Sequence, residues 1–194
     1  MTDEFTVDSL PADEVRTPRE VALRALALFA AVAAAIGAPR DEIVPWLHEH
    51  GLWRELTPSE TEFLSAEVVD KKSEINFGWQ SECLMVLLWA LGKVSDFPGP
   101  GQQCDTAGFQ RILPPYADIE VAEFLKTAAL LDDDILLAKC EEVLDQHWQA
   151  RDAALQGRPA PGGINIEIVQ ERHHAINWVT GYDGLPWDEV TTDT

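Results

Sequence analysis

Several charged and titratable residues fall where a helix ought to be apolar, and they carry the chemistry this chain could perform. On a helix beginning near Asp133, successive residues turn about 100°, which sets Leu136, Cys140, Val143, Leu144 and Ala154 along one stripe with His147 and Arg151 inside it. On a later helix, Glu167, Gln170, Glu171 and His174 form a narrow polar wedge, leaving Arg172, His173 and Asn177 to point inward. Glu82 is flanked on its own helical face by Trp79, Val86 and Trp89, so its carboxylate is expected to be buried. An unpaired charge costs several kcal/mol to bury. These groups are therefore expected to meet: Glu82 and the tail acids Asp188 and Asp193 pair with Arg151, Arg172, His147 and His173, while Trp187 caps the core. Two readings of this convergence stand side by side. It is either a structural polar network that fixes helix register, or a pocket in which Glu82, His147, His173 and Asp188 do acid-base chemistry, because clustered titratable groups also mark active sites.

Other patterns carry less. His48 and His50 are two residues apart and diverge by about 200° on a helix, whereas helical zinc pairs need spacings of three or four. His173 and His174 also diverge, so no metal site is expected. Cys83, Cys104 and Cys140 lack any CxxC spacing, which argues against a zinc ribbon or a disulfide framework. There is no GxSxG elbow, Walker loop or dinucleotide fingerprint, and the prolines of Pro98-Gly99-Pro100-Gly101 remove the amide donors that a phosphate loop requires. No cofactor is expected.

Helical punctuation places these residues. Thr17-Pro18-Arg19-Glu20 and Thr57-Pro58-Ser59-Glu60 read as capping boxes with Pro at the first helical position. Helices are expected at Pro18 to Ile36, Glu42 to His50, Pro58 to Ser65, Asn76 to Leu91, Asp118 to Ala129, Asp133 to Gln156 and Ile166 to Thr180. Gly37, Gly51, Gly92 and Gly157 act as stops. Alternating strands are absent from the pattern. The fold class is all-α, a single-domain orthogonal or irregular bundle of about seven helices over residues 17–194, preceded by a flexible acidic leader over residues 1–16. Lys93 to Tyr116, rich in Pro and Gly, is the longest irregular connection and a candidate partner-binding loop.

Composition bounds the partners. The 194 residues are 46% hydrophobic and 25% charged, a globular balance. With 14 Lys and Arg against 34 Asp and Glu, the net charge of −20 repels nucleic-acid backbones and anionic membranes. The most apolar stretch is Ala-rich, contains Arg24 and is too short for a bilayer, and the N-terminus lacks the basic and apolar run of a secretory signal, which points to the cytoplasm.

Four blocks in fixed order then carry a family resemblance: Trp79-Gln80-Ser81-Glu82 running into Leu87-Leu88-Trp89-Ala90-Leu91-Gly92; His147-Trp148 with Arg151-Asp152-Ala153; Glu171-Arg172-His173-His174-Ala175-Ile176-Asn177-Trp178; and Trp187-Asp188-Glu189-Val190-Thr191-Thr192-Asp193-Thr194. With the opening Arg24-Ala25-Leu26-Ala27-Leu28-Phe29, they resemble the domain of unknown function 4272 family over roughly residues 19–194. The resemblance implies no activity. Gln80 stands where the family pattern carries Arg, and a second basic residue is missing before His147. The expected function is a cytosolic interaction or regulatory module that meets a protein partner through its acidic surface or the 93–116 loop. The alternative is a small-molecule hydrolase with a His/Glu/Asp/Arg cleft.

Overall fold

A computed structural model describes residues 14–194, and most of the leader expected at residues 1–16 lies outside them. The described residues form one all-α packed body without strands. Both capping boxes are present: Thr17 accepts from the Glu20 amide to open α1 (Pro18–Ala35), and Thr57 from the Glu60 amide to open α3 (Pro58–Ser65). Between them, α2 (Arg40–Glu49) begins two residues earlier than the expected Glu42, which places Pro45 inside the helix as its sixth residue, where its missing amide hydrogen leaves one helical hydrogen bond unmade.

The helix expected from Asn76 to Leu91 is two helices. Asp70 accepts from the amides of Lys72 and Ser73, so α4 (Lys71–Trp79) begins a turn and a half early, and a flattened step at Gln80 (ψ −4°) separates it from α5 (Ser81–Ala90). Every residue of α5 is buried. The 93–116 connection holds a short helix, α6 (Thr106–Phe109), that its prolines and glycines concealed. The expected helix at 118–129 shrinks to α7 (Val121–Lys126). The two long helices α8 (Asp133–Leu155) and α9 (Ile166–Val179) fall where expected.

In the interior, α9 packs between α8 and α5, and α1 covers α5 and α4. The core is formed by Leu26, Leu28 and Val32 of α1, Leu84, Leu87 and Leu88 of α5, Val143 of α8, and Ile176 and Val179 of α9. The chain after α9 returns as short 3-10 turns at Tyr182–Gly184 and Trp187–Glu189. Among the described residues no helix is long and apolar enough to cross a membrane.

At Gly181 the segment before α1 closes over the end of α9: the Arg16 amide donates to the Val179 carbonyl at 2.9 Å, and a Cβ on Gly181 would lie 2.0 Å from the Glu14 carbonyl oxygen. Gly181 also has φ +79°, a left-handed conformation that costs a side chain energy in its own right. Gly181→Ala is expected to cost about 2–4 kcal/mol, a fall of roughly 5–10 °C in Tm by calorimetry.

Candidate functional site

Asn165 caps α9 by accepting from the Glu167 amide at 2.9 Å. The helix so started carries Glu171, Arg172, His173 and His174 in one turn, and each side chain meets different surroundings.

Arg172 turns toward α5 and is fully buried (0% exposed), as is Glu82 (1%). Nε and Nη2 donate to Glu82 Oε2 at 3.0 and 2.8 Å. Nη1 donates to the Pro98 and Gly99 carbonyls at 2.6 and 3.1 Å, and Nη2 to the Gln102 carbonyl at 2.8 Å. The Cys104 amide completes the shell by donating to Glu82 Oε1 at 2.8 Å. The Pro-Gly segment of the 93–116 connection is thus folded onto a guanidinium that is satisfied on every side.

His173 turns toward α8 and meets His147 with Nδ1 atoms 2.9 Å apart, one ring donating and the other accepting. Burial, followed by the charges of His147 and His174, pushes His173 down to about 4, and burial with Arg151 lowers His147 as well. Both rings are therefore neutral at pH 7. Asn177, one turn further on, is buried and donates to the Thr191 carbonyl at 3.1 Å, holding the tail.

Three expected members of this network lie elsewhere. Arg151 is exposed and donates to the Thr194 hydroxyl at 2.9 Å. The buried line of α8 runs Leu136, Val143, His147, Ala150 and Ala153, stepping three residues beyond His147 to Ala150 where the expected stripe stepped four. Leu144 and Ala154 are exposed for the same reason. Asp188 is exposed because neighbours in a 3-10 turn point about 120° apart and Trp187 takes the inward position. Asp193 is exposed and enters no ion pair among the described residues. Trp79 is half-buried at the rim of a small hollow shared with Glu82 and Cys104.

A second buried ion pair escaped the sequence reading. Arg24 of α1 donates through Nη2 to Glu60 Oε1 and through Nη1 to the Glu55 carbonyl at 3.2 Å, while Glu60 Oε2 closes its own capping box. The signal was there in Arg24, a cation in the middle of the apolar face of α1. The Trp187 ring lies over this guanidinium at 5.1 Å and packs on Trp178 and His174.

Between α3, α5, α9 and the tail opens a cleft of about 530 Å³. Glu171 and His174 line it together, since residues three apart lie about 60° apart on a helix. Trp187, Asp188 and Gln80 face it as well, and the Ser59 hydroxyl donates to Asp188 Oδ2 at 3.2 Å. Burial raises the Glu171 carboxyl; the Cys83 thiol, donating at 3.1 Å, opposes the shift and the Glu82 charge adds to it. Burial lowers His174. Burial and the Glu171 charge drive the Cys83 thiol well up, so it is a packed donor and no nucleophile. The side-chain Oε1 of Gln80 is buried without a hydrogen-bond partner among the described residues, whereas its backbone carbonyl accepts from the Leu84 amide at 3.0 Å. Of the expected catalytic residues only Asp188 reaches this cleft; His147 and His173 are sealed behind it and Glu82 is spent on Arg172. Among the described residues no group of three or more His, Cys, Asp or Glu side chains is arranged to hold a metal.

Two outcomes follow from this geometry. Arg172→Met strands a buried carboxylate and is expected to cost about 3–5 kcal/mol, lowering Tm by roughly 10–15 °C, whereas Arg172→Met with Glu82→Leu should recover much of that loss. A histidine held below its unfolded value of 6.5 contributes stability that is complete above pH 6.5 and is lost as pH falls toward about 4. Urea midpoints measured from pH 7 to pH 4.5 should therefore decline, and less steeply in His173→Gln.

A family model described as Domain of unknown function (DUF4272) matches residues 4–190. Neither the curated proteins nor the solved structures contain a match to the chain. The match spans nearly the whole length, and the chain belongs to the DUF4272 family.

Proposed function

We propose that the protein is a cytosolic interaction module whose cleft between α3, α5, α9 and the tail receives a basic side chain of a partner protein. The observation that carries this reading is the cleft's chemistry: Glu171 and Asp188 offer carboxylates, and among the described residues no Lys or Arg lines the opening. A guanidinium or ammonium group entering there donates to these carboxylates and stabilises the ionised form of Glu171, which burial disfavours. The chain's net charge of −20 steers a basic surface toward it. The ion pair of Arg172 with Glu82 is then structural, because every donor and acceptor in it is already used.

A second reading rests on a separate observation. Glu171, whose carboxyl burial raises, and His174, whose imidazole burial lowers, share one cleft with their proton affinities shifted toward each other, a pairing of the kind that acid-base hydrolysis of a small molecule uses. In that reading they replace Glu82, His147 and His173 as the catalytic groups.

The test is a calorimetric and NMR titration with a short capped peptide containing one arginine, with its norleucine counterpart as the control. Binding to the arginine peptide alone, shifts confined to cleft residues, and a loss on the order of 5–10-fold in Asp188→Asn and Glu171→Gln are expected. Affinity should weaken on acidification at a pH higher than an ordinary glutamate would give, since protonating Glu171 removes the attraction. Equal binding of the two peptides would refute the reading.

A further inference from the structure

The helix α8 has a second face that the described residues leave uncovered. Beside the buried line through Val143 and His147, four large apolar side chains stand in solvent: Leu137 is 46% exposed, Leu144 41%, Trp148 54% and Leu155 86%. With Glu141 and Arg151, both exposed, they occupy positions 137, 141, 144, 148, 151 and 155. The steps alternate four and three, so at 100° per residue all six lie within about 40° of one line along the helix. This is the spacing of a seam that packs against another helix, and it runs for about 27 Å.

The order of residues within the seam selects the occupant. Leu137 and Leu155, Glu141 and Arg151, and Leu144 and Trp148 are three pairs, each placed symmetrically about position 146. A helix with that property is complementary to itself when turned end for end, because a two-fold axis at the midpoint makes residue i meet j while j meets i. We infer that α8 pairs antiparallel with α8 of a second copy of this chain. Leu144 then packs on the second copy's Trp148, Leu137 on its Leu155, and Glu141 opposes its Arg151, each contact occurring twice.

Charge supports a second copy over another protein. Neither Glu141 nor Arg151 enters an ion pair among the described residues, although Arg151 is one of 14 basic residues facing 34 acids. The single hydrogen bond from Arg151 Nη1 to Thr194 leaves most of the guanidinium fork available to a carboxylate. An acid and a base equidistant from the centre of an apolar seam give two ion pairs in the antiparallel dimer, and would give like-charge contacts if the helices paired in parallel with the same residues aligned.

Sedimentation equilibrium of the full chain, with Leu144→Glu/Trp148→Glu and two charge variants, tests this. The wild type is expected to run at twice the chain mass at micromolar concentration, and Leu144→Glu/Trp148→Glu as a folded monomer with unchanged circular dichroism. Glu141→Arg alone places like charges across the axis, as does Arg151→Glu alone, and each should weaken self-association at least ten-fold. Mixing the two single variants restores both ion pairs, so a heterodimer should form between proteins that are separately monomeric. A wild type that stays monomeric at high concentration overturns the proposal. So does a dimer that survives Leu144→Glu/Trp148→Glu, or single variants that mixing fails to rescue. None of these outcomes depends on what occupies the cleft at Glu171.

Discussion

A guanidinium cannot shed its charge inside a protein, so burying Arg172 obliges the structure to supply a negative charge and acceptors for every N–H it carries. Much of the architecture around α9 answers that demand. Glu82 provides the charge from α5, and three carbonyls from Pro98, Gly99 and Gln102 provide the remaining acceptors. The composition of the loop suits the task. Pro98 and Pro100 have no amide hydrogen, so a segment that would serve a phosphate badly can present carbonyls to a cation without competing donors. The approach is close, since the Asn165 amide donates to the Pro100 carbonyl at 3.1 Å and a Cβ on Gly101 would lie 2.2 Å from the Gly163 carbonyl oxygen. The longest irregular connection in the chain is thereby held against two helices, and it contributes nothing to the cleft lined by Glu171.

Four consecutive residues of α9 show how one helical turn divides its labour. Each step of about 100° sends Arg172 to α5, His173 to α8, and both Glu171 and His174 to the open side. The two sealed contacts fix the rotation of α9 about its axis, and that rotation aims the two cleft residues. Structural and functional readings of the polar cluster are therefore compatible. The ion pair and the histidine pair position the helix, and their neighbours on the same turn face the open cleft.

Helix starts were legible because they rest on local chemistry: the capping boxes at Thr17 and Thr57 were read from the sequence and are present. Glu82 with Arg172, and His147 with His173, could be foreseen as inward because each interrupts a long apolar face. Partners were harder to assign, since pairing depends on which helices adjoin. Arg151 lies outside because the expected stripe steps four residues beyond His147, while the buried line of α8 steps three, to Ala150. Asp188 was misplaced because the tail has no helical period to reason from. Glu171 and His174 were recognised as polar and solvent-facing, yet the concavity they share forms only when the tail returns with Trp187, and sequence separation carries no sign of that.

The electrostatics of the cleft depend on where the buried cations are spent. Arg172 lies one residue from Glu171, and Arg24 lies beneath the Trp187 ring, yet each guanidinium is engaged by its own carboxylate, Glu82 or Glu60. Neutralised in this way, the two cations do little for the acids on the open side. The Glu171 carboxyl stays raised, and the side-chain donor it accepts from is a thiol that burial keeps protonated. An unpaired arginine in place of Gln80 would supply a positive charge to the cleft from within the chain. With glutamine there, the carboxylates of Glu171 and Asp188 face the cleft without a cation of the described residues beside them, and in the proposed reading the positive charge arrives on another molecule.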